Sequence, residues 1–403
     1  MPWRRTLLSA WVAQVVSIAG FFLVMPFLPL FIRKELGVTD PQAVRLWAGV
    51  LGAAPGLMLT IMQPIWGVLS DRHGRKPMVL RAMFAGAAVL ALMGLVRNVY
   101  ELLALRLLQG AITGTIGASV AMVASVTPRE KAGFSMGLMQ AAVSVGVCIG
   151  ALAGGLAATA FGYRPSFFIG AGLVLIAGCL VLFFAYEKFE REDPNAAGPK
   201  ESLKDVLSIP GFPALVLLPF VINFAGSILS PIVPLFVDEL LHGGIGAEKH
   251  TGAIFFVRGV ALAVAAASAG IISDRLGRAR VILVGLACGA LFCVPQGLVR
   301  SIWPLYVWQA LLGLAMGGVM PAINAGVSRL IPRRLQGRAY GLLYSLGSFG
   351  FTVGPFVGGA ASALTNLRVP FFLGGAVLAA AFPIVLRRSR SLSEGEETPP
   401  AVP

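Results

Sequence analysis

One nine-residue phrase occurs twice in this chain. Gly67-Val68-Leu69-Ser70-Asp71-Arg72-His73-Gly74-Arg75 returns 203 positions later as Gly270-Ile271-Ile272-Ser273-Asp274-Arg275-Leu276-Gly277-Arg278. The register then continues with one inserted residue. Gly150, Gly154, Gly155, Arg164, Phe167 and Phe168 recur 204 positions on as Gly354, Gly358, Gly359, Arg368, Phe371 and Phe372. The 403 residues are therefore two copies of a unit of about 200. In an apolar chain such a duplication is a mark of secondary transporters, whose substrate site lies between the repeats.

The chain is apolar enough for that reading. It is 57% hydrophobic and 12% charged, with mean hydropathy +0.83, where soluble domains are roughly 25% charged. Apolar stretches long enough to cross ~30 Å of hydrocarbon recur throughout. They fall at 7–32, 45–70, 77–97, 100–124, 132–161, 165–186, 212–238, 251–273, 279–299, 302–328, 335–363 and 368–387. The expected fold is an all-α membrane protein of about twelve transmembrane helices in two pseudo-symmetric six-helix bundles. The first bundle spans 1–190, a charged cytoplasmic linker 191–208, the second bundle 209–390, and a disordered cytoplasmic tail 391–403. The 49 glycines suit helices that pack closely in lipid. The first apolar stretch is too long for a cleavable signal and ends in Pro26 and Pro29.

A net charge of +14 invites a nucleic-acid reading, but its distribution argues for membrane topology. Of 32 Lys and Arg, 22 fall in segments assigned to one side and 8 to the other; Arg106 and Arg258 lie within spans. Positive residues stay in the cytoplasm, so both termini of a multi-pass protein are expected inside. Cys148, Cys179, Cys288 and Cys293 lie in apolar spans without metal-ligand spacing, where cysteine packs as a small hydrophobe. His73, His242 and His250 are assigned to loops. No metal site, cofactor or nucleophile–base pair is assembled from these, so an enzyme is not expected.

The run Gly67 to Lys76 resembles the signature loop between the second and third helices of the major facilitator superfamily, and the second copy stands where that fold's second half requires it. Gly67 is expected to let a neighbouring helix approach. Asp71 could accept bonds from the free N–H groups opening a facing helix. The resemblance implies a latch that closes the inner side and releases on inward opening. Its members would be Gly67, Asp71, Arg72, Gly74, Arg75 and Lys76, with Gly270, Asp274, Arg275, Gly277 and Arg278 in the copy.

Further motifs resemble the twelve-helix drug:proton antiporter branch, and that resemblance implies a bacterial inner membrane. Gly20-x5-Pro26-x2-Pro29 matches its first-helix motif and is echoed by Gly226-x4-Pro231-x2-Pro234. Arg106-x2-Gln109-Gly110 resembles its buried-arginine motif; a charge at that depth should face the bundle interior or water. Packing by backbone carbonyls is the competing role for Arg106, whose repeat mate is Gln309. Gly146, Gly150, Gly154 and Gly155 resemble the antiport motif of the fifth helix, expected to form a seam with the eighth. Ala151 stands where the family has proline, whereas the eleventh-helix copy, Gly350, Gly354, Pro355 and Gly358, keeps it.

None of the 18 acidic residues falls near the middle of an expected span, whereas Arg106 and Arg258 do lie deep. Fixed arginines repel cations at low dielectric. The substrate is therefore expected to be a small hydrophobic compound that is neutral, zwitterionic or anionic, exported by proton antiport through alternating access. Alongside Arg106, Gln109 and Arg258, polar groups for the substrate or proton pathway are Gln14, Gln63, Gln140, Asn223, Asn324 and Tyr344, with Thr113. Trp11, Trp66, Phe224 and Phe255 are candidate apolar walls. Asp71, Glu35 or the Asp238/Glu239 pair are the candidates for titration at a vestibule. Partners are then the substrate, protons and membrane lipid, around a monomer. A lipid or lysolipid flippase of the same fold is the alternative reading, and a small-molecule importer the second.

Overall fold

A computed structural model of the protein describes residues 2–128, 131–187, 206–209, 211–332 and 335–397. Twelve long helices follow one another, and no strand occurs among the described residues. They are α1 (Trp3–Lys34), α2 (Pro41–His73), α3 (Arg75–Met93), α4 (Val99–Val126), α5 (Ala132–Phe161) and α6 (Tyr163–Phe184). The second series is α7 (Phe212–Leu240), α8 (Ala247–Leu276), α9 (Arg278–Leu298), α10 (Ile302–Leu330), α11 (Gln336–Leu364) and α12 (Val369–Glu397). Eleven of the twelve meet the length and apolarity of a membrane span over their described residues, and α11 fills the remaining place with 29 residues.

Local chemistry sets the boundaries. Asp40 caps α2 by accepting from Gln42 N and Ala43 N, with Pro41 at the first helical position. Asn98 caps α4 by accepting from Glu101 N, and the Glu101 carboxylate accepts from Arg97 N, one residue before the cap. Pro26 and Pro29 tighten α1 into a 3-10 turn at Met25–Phe27. Gly114, at φ +143, interrupts α4, where an L side chain would be strained.

Three boundaries differ from expectation. α2 ends at His73 and α8 begins at Ala247, so His73 and His250 are helical rather than in loops, and Glu248 lies in the first turn of α8. α12 continues to Glu397, seven residues into the segment expected to be disordered. Proline is absent there, while Leu392 and three glutamates favour helix. Most of the expected linker, residues 191–205, lies outside the described residues.

The chain divides into two compact units, and the division is not the one the repeat alone suggests. Unit 1 comprises 1–197 with 233–256; unit 2 comprises 198–232 with 257–403. The end of α7 and the start of α8 thus pack with the first six helices. In unit 1, α1 packs on α5 and α6, α2 on α4, and α3 on α6. In unit 2, α7 packs on α11 and α12, α9 on α12, and α8 on α10.

The same bonds recur in both. Arg164 NH1 donates to Gly94 O at 3.0 Å, and its repeat mate Arg368 donates to Gly297 O at 2.9 Å. Each arginine occupies carbonyls that the end of α3 or α9 leaves free.

Candidate functional site

Arg106, 2% exposed, is built into the seam between α2 and α4. Pro55 lacks an N–H and leaves the carbonyl of Leu51, one turn earlier, without its helical donor. Arg106 Nε supplies that donor at 3.0 Å, and NH1 donates to Gln109 Oε1 at 2.7 Å. Gly110 makes the approach possible, because a Cβ there would collide with the Pro55 backbone. The third nitrogen, NH2, is buried without a hydrogen-bond partner among the described residues. Further along the same seam, Trp66 Nε1 donates to Ala111 O at 2.7 Å, beside the break in α4. The guanidinium carbon of Arg81 lies 3.3 Å from the centre of the Trp66 ring. Both sequence roles for Arg106 thus have a physical basis: two of its nitrogens are spent on packing and one is free.

Unit 2 uses different residues at the same positions. Gln309, the mate of Arg106, donates to Gln296 Oε1 at 2.8 Å instead of to α8. Arg258 is the mate of Pro55, since 258 − 55 = 203. Its carbonyl meets Gly313 as Pro55 meets Gly110. Its guanidinium points at α7, where a Cβ on Gly226 would lie 3.4 Å from NH2, and it lies beside Cys293. Among the described residues no hydrogen bond or ion pair engages this side chain.

The duplicated loops adopt the same backbone. Gly74 has φ +94 and ψ 160, and Gly277 has φ +83 and ψ 144. Each ends one helix and starts the next. The side chains of Asp71, Asp274 and Arg275 lie outside the described residues, as does the side-chain environment of Gly270. Arg72 is exposed, and Arg278 Nε is buried without a partner among the described residues. Among the described residues no neighbouring atom lies within 4 Å of where a Cβ on Gly67 would stand. The N–H groups opening α3 are held by Glu187: Arg75 N at 2.9 Å and Lys76 N at 2.7 Å. Lys76 Nζ returns to Leu182 O and Ala185 O, ending α6. This reciprocal clamp is not visible in the sequence, where Glu187 falls just past the last apolar stretch of the first bundle.

The glycine motif packs elsewhere than expected. A Cβ on Gly146, Gly150 or Gly154 would strike α1 at Val15, Ile18, Ala19 or Leu23. In the copy, Gly350, Gly354 and Gly358 meet α7 at Phe220, Phe224, Ser227 and Ile228, with Pro355 inside α11. Only Gly155 meets α8, with a Cβ position 2.5 Å from Glu248 O, and Gly252 faces Ala151 O in return. The stripe faces α1 because its four-residue spacing follows one side of α5, while Gly155 lies one residue round from it.

Of the other expected residues, Gln14 is 0% exposed with neither amide atom bonded among the described residues, and Gln63 and Gln140 are exposed. In unit 2, Phe220 stacks on Phe224 and Phe349, and Asn223 Nδ2 would lie 2.9 Å from a Cβ on Gly347. Tyr344 stacks on Tyr340, whose hydroxyl donates to Asn324 O at 3.0 Å; Asn324 Oδ1 is buried without a partner among the described residues.

At the Glu35 end of unit 1 the sequence reading missed a cluster. Arg33 NH2 meets Asp238 Oδ2 at 2.6 Å, and Lys34 Nζ meets Glu248 Oε1 at 2.9 Å. The Tyr163 hydroxyl donates to the same Glu248 oxygen. Glu248 escapes a sequence reading because it stands outside the apolar stretch, although the fold buries it to 8% exposure.

Two copies of a six-helix set, a shared glycine-turned loop and buried arginines in apolar helices define a membrane-spanning transporter. Residues 10–248 and 215–402 match the Major Facilitator Superfamily. The chain belongs to that family. It is 35% identical over 380 residues to "Multidrug resistance protein MdtG" of Citrobacter koseri, covering 93% of each chain. The protein of that name from Salmonella arizonae is 34% identical over the same share. Among solved structures, a bacterial homolog of the human lysosomal transporter Spinster, inward-facing and occupied, superposes with TM-score 0.80 at 14% identity over 100% of both chains. The human organic anion transporter MFSD10 gives 0.69 at 20% identity, over 96% of this chain and 100% of its own. These structures share the fold.

Proposed function

We propose that this protein exports small hydrophobic compounds of neutral, zwitterionic or anionic character by proton antiport. The observation that carries this reading is the free guanidinium of Arg258 against α7, in a protein whose described acids are engaged. Glu35, Asp238 and Glu248 form ion pairs, and Asp40, Glu101 and Glu187 hold backbone N–H groups. An unpaired cation among apolar helices attracts anions and repels cations. Kinship with multidrug resistance proteins supports the drug-type substrate and the outward direction. By the positive-inside rule the Asp71 end and both termini are cytoplasmic, in a bacterial inner membrane. The Asp71 loop and its Asp274 copy gate that end during alternating access, and the protein works as a monomer.

The test is accumulation of neutral, anionic and cationic compounds in a pump-deficient bacterial host, with and without a protonophore. Lower accumulation of non-cationic compounds, abolished by the protonophore, is the expected result. No change for any compound would replace this reading with lipid flipping.

A further inference from the structure

In unit 1 the starts of α1 and α5 enclose a groove of about 460 Å³ that the transport reading does not use. Its lining holds two bases, Arg4 and Lys131, and no acid. Both side chains are exposed, and among the described residues no ion pair engages either. The guanidinium carbon of Arg4 lies 5.4 Å from the centre of the Trp3 ring, a stacking partner that leaves its charge unpaired. The rest of the lining is apolar: Leu7 is buried, while Leu8 and Phe134 are 63% and 66% exposed. In the sequence these two helix starts carry four bases, Arg4, Arg5, Arg129 and Lys131, against one acid, Glu130.

An exposed apolar stripe leads away from the groove. Leu138, Val145, Ile149 and Leu156 follow Lys131 at spacings that keep them on one side of α5. Val145, Ile149 and Leu156 are 37%, 47% and 48% exposed. This is not the side that carries Gly146, Gly150 and Gly154 against α1. From Leu138 to Ile149 the helix rises about 16 Å, the depth of one leaflet of a bilayer whose hydrocarbon core is ~30 Å thick. A basic mouth and an apolar track one leaflet long match a phosphate head and an acyl chain.

We propose that this groove holds one anionic phospholipid, its phosphodiester met by Arg4 and Lys131 and one acyl chain lying along the stripe. Charge selects the head: two unpaired bases attract a lipid of net negative charge, and the ammonium of a zwitterionic lipid would add a third cation beside them. Both bases carry N–H donors for the phosphate oxygens. The apolar lining and the stripe favour a lipid over a soluble anion, which would cover neither. Trp3 fits the same boundary, since tryptophan collects where a spanning helix leaves the hydrocarbon. A lipid held there joins the starts of α1 and α5 within unit 1. It is a resident ligand and not cargo, so it stands whether export or lipid flipping is what the protein performs.

Native mass spectrometry of the full chain in mild detergent, titrated with dioleoyl phosphatidylglycerol, counts the bound lipid. One tightly bound molecule is expected, with dioleoyl phosphatidylcholine about tenfold weaker. Arg4→Gln and Lys131→Gln should each weaken phosphatidylglycerol binding about fivefold. Arg329→Gln with Arg387→Gln, which neutralises two exposed bases of unit 2, should leave it unchanged. Equal binding of the two lipids, or an equal loss in the unit 2 control, would overturn the site and leave only general lipid contact. An excess of inorganic phosphate should not displace the lipid; displacement would overturn the proposal in favour of a soluble anion. If a glutamine variant fails to fold, p-benzoylphenylalanine in place of Phe134 carries the test, in nanodiscs of equal parts of the two lipids. Cross-linking to phosphatidylglycerol is expected there, and equal cross-linking to both lipids, or to neither, would overturn the site.

Discussion

Arg106 Nε stands 3.0 Å from the carbonyl oxygen of Leu51, the group that Pro55 deprives of its helical donor. A proline in one helix and an arginine in another thus form one device, and Gly110 gives it room. Replacing Arg106 with Ala strands a buried carbonyl and a buried amide, each worth about 1–3 kcal/mol. The melting temperature of the purified protein should fall. Adding Pro55→Ala returns the missing N–H to α2 and should recover part of the loss. Equal melting of the single and double variants would show that Leu51 O is not what Arg106 serves.

The glycines divide into two kinds. Gly154→Val would drive a side chain into the Leu23 carbonyl and should prevent stable accumulation in the membrane. Gly67→Ala enters open space and gains helix propensity of up to about 1 kcal/mol. Fluorescence-detected size-exclusion of both variants checks this, with Gly67→Ala expected to run as the parent.

Arg164→Ala and Arg368→Ala break the same bond in separate units. Each should cost about 1–3 kcal/mol, and the two losses should add. Unfolding in denaturing detergent measures both, and strong non-additivity would mean that the sites communicate.

Glu187→Gln removes the charge that holds two N–H groups at the start of α3. Charge-assisted caps at a helix N-terminus contribute roughly 1–2 kcal/mol. Faster hydrogen exchange at Arg75 and Lys76, with the rest of α3 unchanged, is the expected outcome.

Much of this was legible because duplication exposes itself. Twelve helices, the paired loops and the Arg164 and Arg368 mates all follow from repeated residues, and kinked helices follow from proline positions. What escaped depended on pairing at a distance. In the sequence Glu187 lies just past an apolar stretch, Glu248 just before one, and Arg33 is one of the positive residues outside the spans; burial and partners are properties of the folded chain. The glycine spacing marks a small face of α5 without naming its neighbour, which is α1 for Gly146, Gly150 and Gly154 and α8 for Gly155.

On the proposed function, non-cationic amphiphiles move at the expense of a proton gradient along a path anchored by Arg258. Energised inverted membrane vesicles from an expressing host test it most directly, with anilinonaphthalene sulfonate as an anionic probe and ethidium as a permanent cation. The account predicts uptake of the sulfonate, release by a protonophore, and loss of uptake with Arg258→Ala while the protein level is unchanged. Uptake of ethidium alone, or sulfonate uptake indifferent to the protonophore and to Arg258→Ala, would contradict it.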